Sequence, residues 1–107
     1  MLEKELERKY SEHIEEIYIE ESKSEIFLRQ ITVKRSSRNK GIGKLILNDL
    51  KQVGKPIFLY INPANSSHAR KLRHFYTSSG FIRTGTAPKS RKTLTDLEWF
   101  KYEHGKN

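Results

Sequence analysis

Arg38, Lys40, Gly41, Gly43 and Lys44 stand together in the run SRNKGIGK, and their types and spacing suit the binding of an anion. Upstream, Ile31, Thr32 and Val33 form an apolar, β-branched run; downstream, Ile46, Leu50 and Val53 recur at helical spacing, with Leu47 widening the stripe. The spacing predicts a strand, a basic turn from Lys34 to Lys40, and a helix entered through the two glycines. A helix start leaves several backbone N–H groups without intrahelical partners, and with the helix dipole they form a site for an anion. Gly41 and Gly43 lack a Cβ, so the backbone there can turn and approach a ligand closely. A pyrophosphate is the natural occupant. The pattern is RxxGxG, which is neither the GxxxxGK(S/T) of a P-loop nor GxGxxG. Taken alone, the hexapeptide is better read as an ordinary basic strand-to-helix turn.

The elements around the loop must fit into 107 residues, enough for one small domain with a single core. The absence of cysteine excludes disulfides, thiolate metal sites and cysteine nucleophiles. His13, His68, His74 and His104 show no metal-ligand spacing with carboxylates, and no metal is expected. No apolar run reaches membrane-spanning length and the start MLEKELERKY is too charged for a signal peptide, so the expectation is a cytoplasmic protein without a membrane partner. Charge is unevenly spread. Residues 1–26 hold nine acidic and four basic side chains, a net of minus five, whereas residues 27–107 hold four acidic and seventeen basic, a net of plus thirteen. The basic part requires an anionic partner, either a phosphate-rich cofactor, a nucleic acid or an acidic protein.

In chain order, Leu2, Leu6 and Tyr10 give residues 2 to about 13 a narrow helical stripe, a peripheral helix that docks on the body or frays. Alternation from Ile14, a turn at Glu21–Ser24 and a second run from Glu25 to Val33 predict a β-hairpin whose second arm is the longer. The loop helix closes at Gly54, before Pro56. Pro56–Ile61 (PIFLYI) reads as a strand buried on both faces, parallel to the one before the loop. After the turn at Asn62–Ser67, with Ser66 or Ser67 as cap, a helix over about His68–Ser78 ends at Gly80. A short strand begins at Phe81, residues 84–92 form a loop, Leu94–Tyr102 is the last strand with Trp99 and Phe100 in the core, and 103–107 is a frayed tail.

This order resembles the GNAT superfamily, whose members transfer an acetyl group from acetyl-coenzyme A to an amine. Two motifs on either side of PIFLYI carry the resemblance: VKRSSRNKGIGKLIL (Val33–Leu47), like that family's pyrophosphate loop, and FYTSSGFI (Phe75–Ile82), like its late tyrosine helix and following strand. Their joint occurrence is far more specific than either half, and it covers roughly Ile14 to Tyr102. The implied fold is α/β with a mixed sheet, an antiparallel hairpin leading into a central parallel strand pair flanked by helices, as one domain over residues 1–107. Where the family often has a proline and an aromatic before the loop arginine, and a glycine after it, this chain has Arg35, Ser37 and Asn39. Its N-terminal part is also shorter than the family's.

The resemblance implies acetyl-CoA as co-substrate and an amine acceptor. It places the pyrophosphate against the backbone of Arg38, Asn39, Lys40, Gly41, Ile42, Gly43 and Lys44, and pairs the pantetheine arm with the backbone of Ile31, Thr32 and Val33. Asn65 stands in for an asparagine that the family often carries early in the tyrosine helix, where this chain has Ala69. The thioester would lie near Tyr60–Asn62, which implies that the two parallel strands splay. Tyr76 matches the general-acid position, although at i+4 from Leu72 it also fits a core stripe. Glu25 is a candidate general base, two residues from the preferred register; water is an equal alternative, and a solvent-facing strand glutamate is the simpler reading. Two other functions remain open: a non-catalytic CoA-binding module on this fold, and a nucleic-acid-binding module, which lacks any recognised motif. The acceptor is open among a protein lysine, an N-terminus and a polyamine, with the basic surface weighing against polycations. The chain reads equally as a monomer or as a homodimer paired through an edge strand.

Overall fold

The computed structural model describes residues 2–62, 66–84 and 97–103. The order is α1 (Leu2–Lys9), β1 (Ile14–Glu21), β2 (Ile26–Val33), a 3-10 turn (Arg35–Ser37), α2 (Ile42–Gln52), β3 (Ile57–Ile61), α3 (Ser66–Ser78), β4 (Ile82–Arg83) and β5 (Glu98–Tyr102). The strands form one sheet in the order β1-β2-β3-β5-β4, in which only β2 and β3 run parallel. The mixed α/β architecture expected from the sequence is present. No helix among the described residues is long and apolar enough to cross a membrane.

Sheet and helices meet on one contiguous core. Ile57, Leu59 and Ile61 of β3 alternate inward with Phe100 of β5, and against them pack Leu6 of α1, Ile46, Leu47 and Leu50 of α2, and Ala69 of α3. Burying each such leucine or isoleucine stabilises the fold by roughly 1.5–3 kcal/mol relative to exposure. The other sheet face carries an aromatic group, Phe27, Tyr60 and Trp99, with ring centroids 5.3 to 5.9 Å apart. Trp99 and Phe100 are both buried, as adjacent strand residues on opposite faces.

Two irregularities in the hairpin decide what β2 presents to the site. Tyr18 pairs with Gln30 but Ile19 with Leu28, so Arg29 is an extra residue, and Glu15 is another between the Ile14↔Val33 and Glu16↔Thr32 pairs. An extra residue shifts the period-two alternation by one. Leu28 therefore faces the core and so do Ile31 and Val33, three and five residues on, while Arg29 and Gln30 are exposed.

Several boundaries differ from the sequence expectation. The first helix stops at Lys9 because residues 10–13 turn, the Tyr10 carbonyl accepting the N–H groups of His13 and Ile14 at 2.8 and 3.1 Å. Both hairpin arms are eight residues long. α3 begins at Ser66, earlier than expected, and β3 alternates between buried and half-buried positions instead of being buried on both faces. The last strand starts at Glu98; the earlier residues assigned to it, 94–96, lie outside the described residues, as do 104–107 of the tail.

Candidate active site

β2 delivers the chain to the basic loop. Ser37 N–H donates to the Lys34 carbonyl at 2.8 Å, closing the 3-10 turn, and Arg38 Nε donates back to the Val33 carbonyl at 3.2 Å. The chain then turns through two left-handed residues, Asn39 (φ 63°) and Gly41 (φ 79°), into α2. Asparagine is among the few residues with a side chain that tolerate this conformation, which explains how Asn39 occupies a place where glycine is expected. Gly41 caps α2 without any side-chain hydrogen bond, and the first amide bonded back into the helix is that of Leu45, to the Gly41 carbonyl at 3.0 Å. The amides of Ile42, Gly43 and Lys44 precede it and face outward at the positive end of the dipole.

α3 supplies the opposite wall. Its C-terminus is a Schellman cap, with Gly80 at φ 93°, Phe81 N–H on the Tyr76 carbonyl at 3.0 Å and Gly80 N–H on the Thr77 carbonyl at 3.1 Å. The hydroxyls of Thr77 and Ser79 add bonds to the carbonyls of Arg73 and Phe75, at 2.7 and 2.9 Å. The TSSG run thus locks the last turn, and the Tyr76 ring sits between those of Phe75 and Phe81, at 5.1 and 5.6 Å. Arg73 grips Glu98 of β5 with two bonds of 2.6 and 2.7 Å, tying α3 to the sheet.

Between the walls lies a groove of about 370 Å³. Ile31, Val33, Arg38, Asn39, Gly43 and Tyr76 line it, all of them candidates from the sequence, together with Lys71, Leu72 and Phe75. Leu72 and Phe75 were legible only as a helix stripe and Lys71 not at all; the i, i+4 pairs Lys71/Phe75 and Leu72/Tyr76 are the signal that they share a face with Tyr76. A Cβ on Gly43 would stand 3.1 Å from Phe75 Cζ, so glycine is what keeps the groove open at that point.

The remaining candidates lie elsewhere. Thr32 turns to the other side of β2, where Gln30 Nε2 donates to its hydroxyl at 3.1 Å. Lys40, Gly41 and Lys44 are exposed on the rim, and Ile42 is buried in the core. Asn65 lies outside the described residues. Glu25 is at the opposite end of β2 from the loop, in the turn where Ser22 N–H donates to its carbonyl at 2.9 Å, and it does not line the groove.

The two parallel strands part before the β2 residues that line the groove, Ile31 and Val33. Their pairing consists of Ile26↔Ile57 and Phe27↔Phe58, and among the described residues no pair follows toward the loop, while β3 continues against β5 as far as Ile61↔Glu98. Electrostatically the site is one-signed. Residues 33–44 and 66–83 contain nine lysines and arginines and no aspartate or glutamate. Arg73 alone of these forms an ion pair among the described residues, leaving Lys40, Lys44 and Lys71 unpaired around the groove. Burial pushes the Tyr76 phenol up to about 12, and its hydroxyl has no hydrogen-bond partner among the described residues. It therefore stays protonated at neutral pH with its donor unused.

No protein-family model matches the sequence, and no curated protein matches it. Solved structures do match in fold. A Bacteroides thetaiotaomicron protein assigned to the GNAT acetyltransferases aligns with TM-score 0.64 at 18% identity over 84% of this chain and 55% of its own. The PaiA N-acetyltransferase of Thermoplasma acidophilum, solved with coenzyme A, gives 0.61 at 19% over 82% and 52%. Arabidopsis thaliana Naa50, solved with the bisubstrate analogue CoA-Ac-MVNAL, gives 0.59 at 19% over 84% and 63%. The chain spans about half the length of the first two. With its hairpin, glycine-turned helix start, parting strands and capped tyrosine helix in that order, the chain has the fold of the GNAT acetyltransferases.

Proposed function

We propose that the chain is an acetyl-CoA-dependent N-acetyltransferase acting on a primary amine. The observation that carries this reading is one groove that brings Gly43 at the start of α2 together with Ile31 and Val33 of β2, beyond the last β2–β3 pair, and with Tyr76. The residues fit the co-substrate. The outward amides at the start of α2 suit a pyrophosphate, Gly43 leaves the space a ligand needs, and Arg38, Lys40, Lys44 and Lys71 balance phosphate charge. The edge of β2 from Leu28 onward suits an extended pantetheine arm.

In the reaction the amine nitrogen bonds to the acetyl carbon, the carbon–sulfur bond breaks, and the sulfur leaves with the electron pair and takes up a proton. Tyr76 donates its O–H to that sulfur. With the phenol near 12 and an ordinary thiol near 8.5, complete transfer from tyrosine is uphill, so the O–H chiefly hydrogen-bonds the sulfur as it gains charge. The amine must lose a proton to attack and another on acylation, and that second proton, passed through solvent, is the one the departing sulfur takes up. With Glu25 at the far end of β2, water accepts the first, and the local excess of positive charge lowers the pKa of a bound ammonium and eases that loss. Holding amine and thioester together supplies the larger part of the rate.

The acceptor reading favours an N-terminus or a lysine over a polyamine, because the segments that supply most of the groove, residues 33–44 and 66–83, carry nine lysines and arginines and no aspartate or glutamate. The test is release of free thiol from acetyl-CoA with a panel of acceptors: short peptides with free N-termini, a lysine peptide and spermidine. Amine-dependent release, with an acetyl group found on the acceptor by mass spectrometry, is expected. Saturable acetyl-CoA binding without release would leave a CoA-binding module. Failure to bind acetyl-CoA would remove the reading altogether.

A further inference from the structure

The loop from Lys34 to Gly41 has demanding backbone geometry and few internal ties. Asn39 and Gly41 are both left-handed, and the bonds within the loop and to β2 are Ser37 N–H to Lys34, Arg38 N–H to Arg35 at 3.3 Å and Arg38 Nε to Val33. Among the described residues, its hydrogen bonds to anything beyond the flanking β2 and α2 come from His13. The His13 carbonyl accepts the Lys34 N–H at 2.8 Å, and His13 Nδ1 lies 2.9 Å from Ser37 Oγ. Ser37 is the loop's buried polar side chain, 5% exposed, so its end of this hydrogen bond is largely withdrawn from water while His13 is half-buried. His13 is itself fixed, its N–H donating to the Tyr10 carbonyl, while the Tyr10 hydroxyl donates to Asp49 of α2 at 2.6 Å.

We infer that His13 is a positioning residue for the anion-binding loop: from the turn between α1 and β1 it holds the loop at its entrance and its middle, in the shape that receives the acetyl-CoA phosphates. The inference rests on the acetyl-CoA reading above. A loop already held in its bound shape loses little conformational freedom when the ligand arrives; an untethered one loses it on binding, and affinity falls accordingly. His13 does not line the groove, so its action goes through Ser37 and Lys34. The same turn reaches α2 through Tyr10, which provides a built-in control. Loss of the Tyr10–Asp49 bond loosens α1 against the core without touching the loop.

The experiment is calorimetric titration of acetyl-CoA into the wild type, His13→Ala, His13→Asn, Ser37→Ala, the His13→Ala/Ser37→Ala double variant and Tyr10→Phe, each with its denaturant midpoint. His13→Ala and Ser37→Ala are expected to weaken binding about 3- to 10-fold, the range of one lost hydrogen bond. The double variant should bind no more weakly than the weaker single one, because the two partners share one interaction. His13→Asn, whose amide can occupy the Nδ1 position, should recover most of the affinity. Tyr10→Phe should lower the midpoint and leave affinity unchanged. Wild-type affinity in Ser37→Ala overturns the inference, and decides alone if His13→Ala does not fold. Equal weakening in Tyr10→Phe also overturns it, since general loosening would then suffice. No binding by the wild type overturns the acetyl-CoA reading and the inference together, whereas wild-type binding with unaltered variants overturns the inference only.

Discussion

Replacing Tyr76 by phenylalanine removes one oxygen from a ring held between Phe75 and Phe81, and the structure predicts opposite effects on rate and stability. Tyr76 is half-buried and its hydroxyl has no partner among the described residues, so its loss forfeits no hydrogen bond within the protein. The variant should be as stable as the wild type or more stable, by up to about 1 kcal/mol, in denaturant unfolding. A positioned acid contributes about 10²- to 10⁴-fold, and a donor as weak as this phenol belongs near the lower end, so kcat should fall about 10²-fold. KM for acetyl-CoA should stay within about twofold, because the groove wall is unchanged. The sign of the pH effect follows from the raised phenol. The donor form is lost only as pH rises toward about 12, so the wild-type rate should climb as the amine deprotonates and show no descending limb in the ordinary alkaline range. Steady-state thiol release across pH reads all of these. A kcat within about threefold of wild type, or a parallel rise in KM that accounts for the loss, would refute the donor role.

Gly43→Ala adds a methyl 3.1 Å from Phe75 Cζ; the gain in helix propensity of about 1 kcal/mol offsets the crowding, so unfolding should change little while acetyl-CoA affinity falls as the ring moves into the groove. Unchanged or tighter binding would contradict that. Arg73 holds the Glu98 carboxyl below the usual glutamate range, so the pair's contribution is present above the unfolded value of about 4.3 and is lost as pH falls through the lower folded value. The stability gap between wild type and Glu98→Gln should therefore be larger at pH 7 than at pH 2.5; equal gaps would refute the ion pair's role. Leu50 is fully buried where α2 meets the sheet, and Leu50→Ala should lose about 2–5 kcal/mol in denaturant unfolding, a loss under 1 kcal/mol being incompatible with the packing described.

What was legible in the sequence lay in local chemistry. Gly41, Gly54 and Gly80 sit where positive φ is required, and each is flanked by a helical stripe, so helix limits and the loop could be placed from the residues themselves. The hairpin bulge was harder to see. Ile26, Phe27 and Leu28 form an unbroken apolar run that hides the alternation, and only the odd spacing from Leu28 to Ile31 betrays the extra Arg29. That shift is what turns Ile31 and Val33 toward the groove. Nor could periodicity separate Trp99 from Phe100, since adjacent strand residues facing two covered sides look alike. Lys71 and His13 were hidden for another reason. Their roles depend on which elements meet across the fold, α3 against the loop and the α1–β1 turn against Ser37, and neither contact is encoded at short range. Glu25 shows the converse: a residue suggested by the resemblance, two positions off the preferred register, lies at the end of its strand away from the groove.

The most direct test of the central claim is an amide-resolved NMR titration of the folded chain with acetyl-CoA. A single saturable site is predicted, with the largest shifts at the amides of Asn39 to Lys44 and a second set at Lys71 to Tyr76 across the groove. Absence of shifts at saturating ligand, or shifts confined to residues away from the loop and α3, would contradict it.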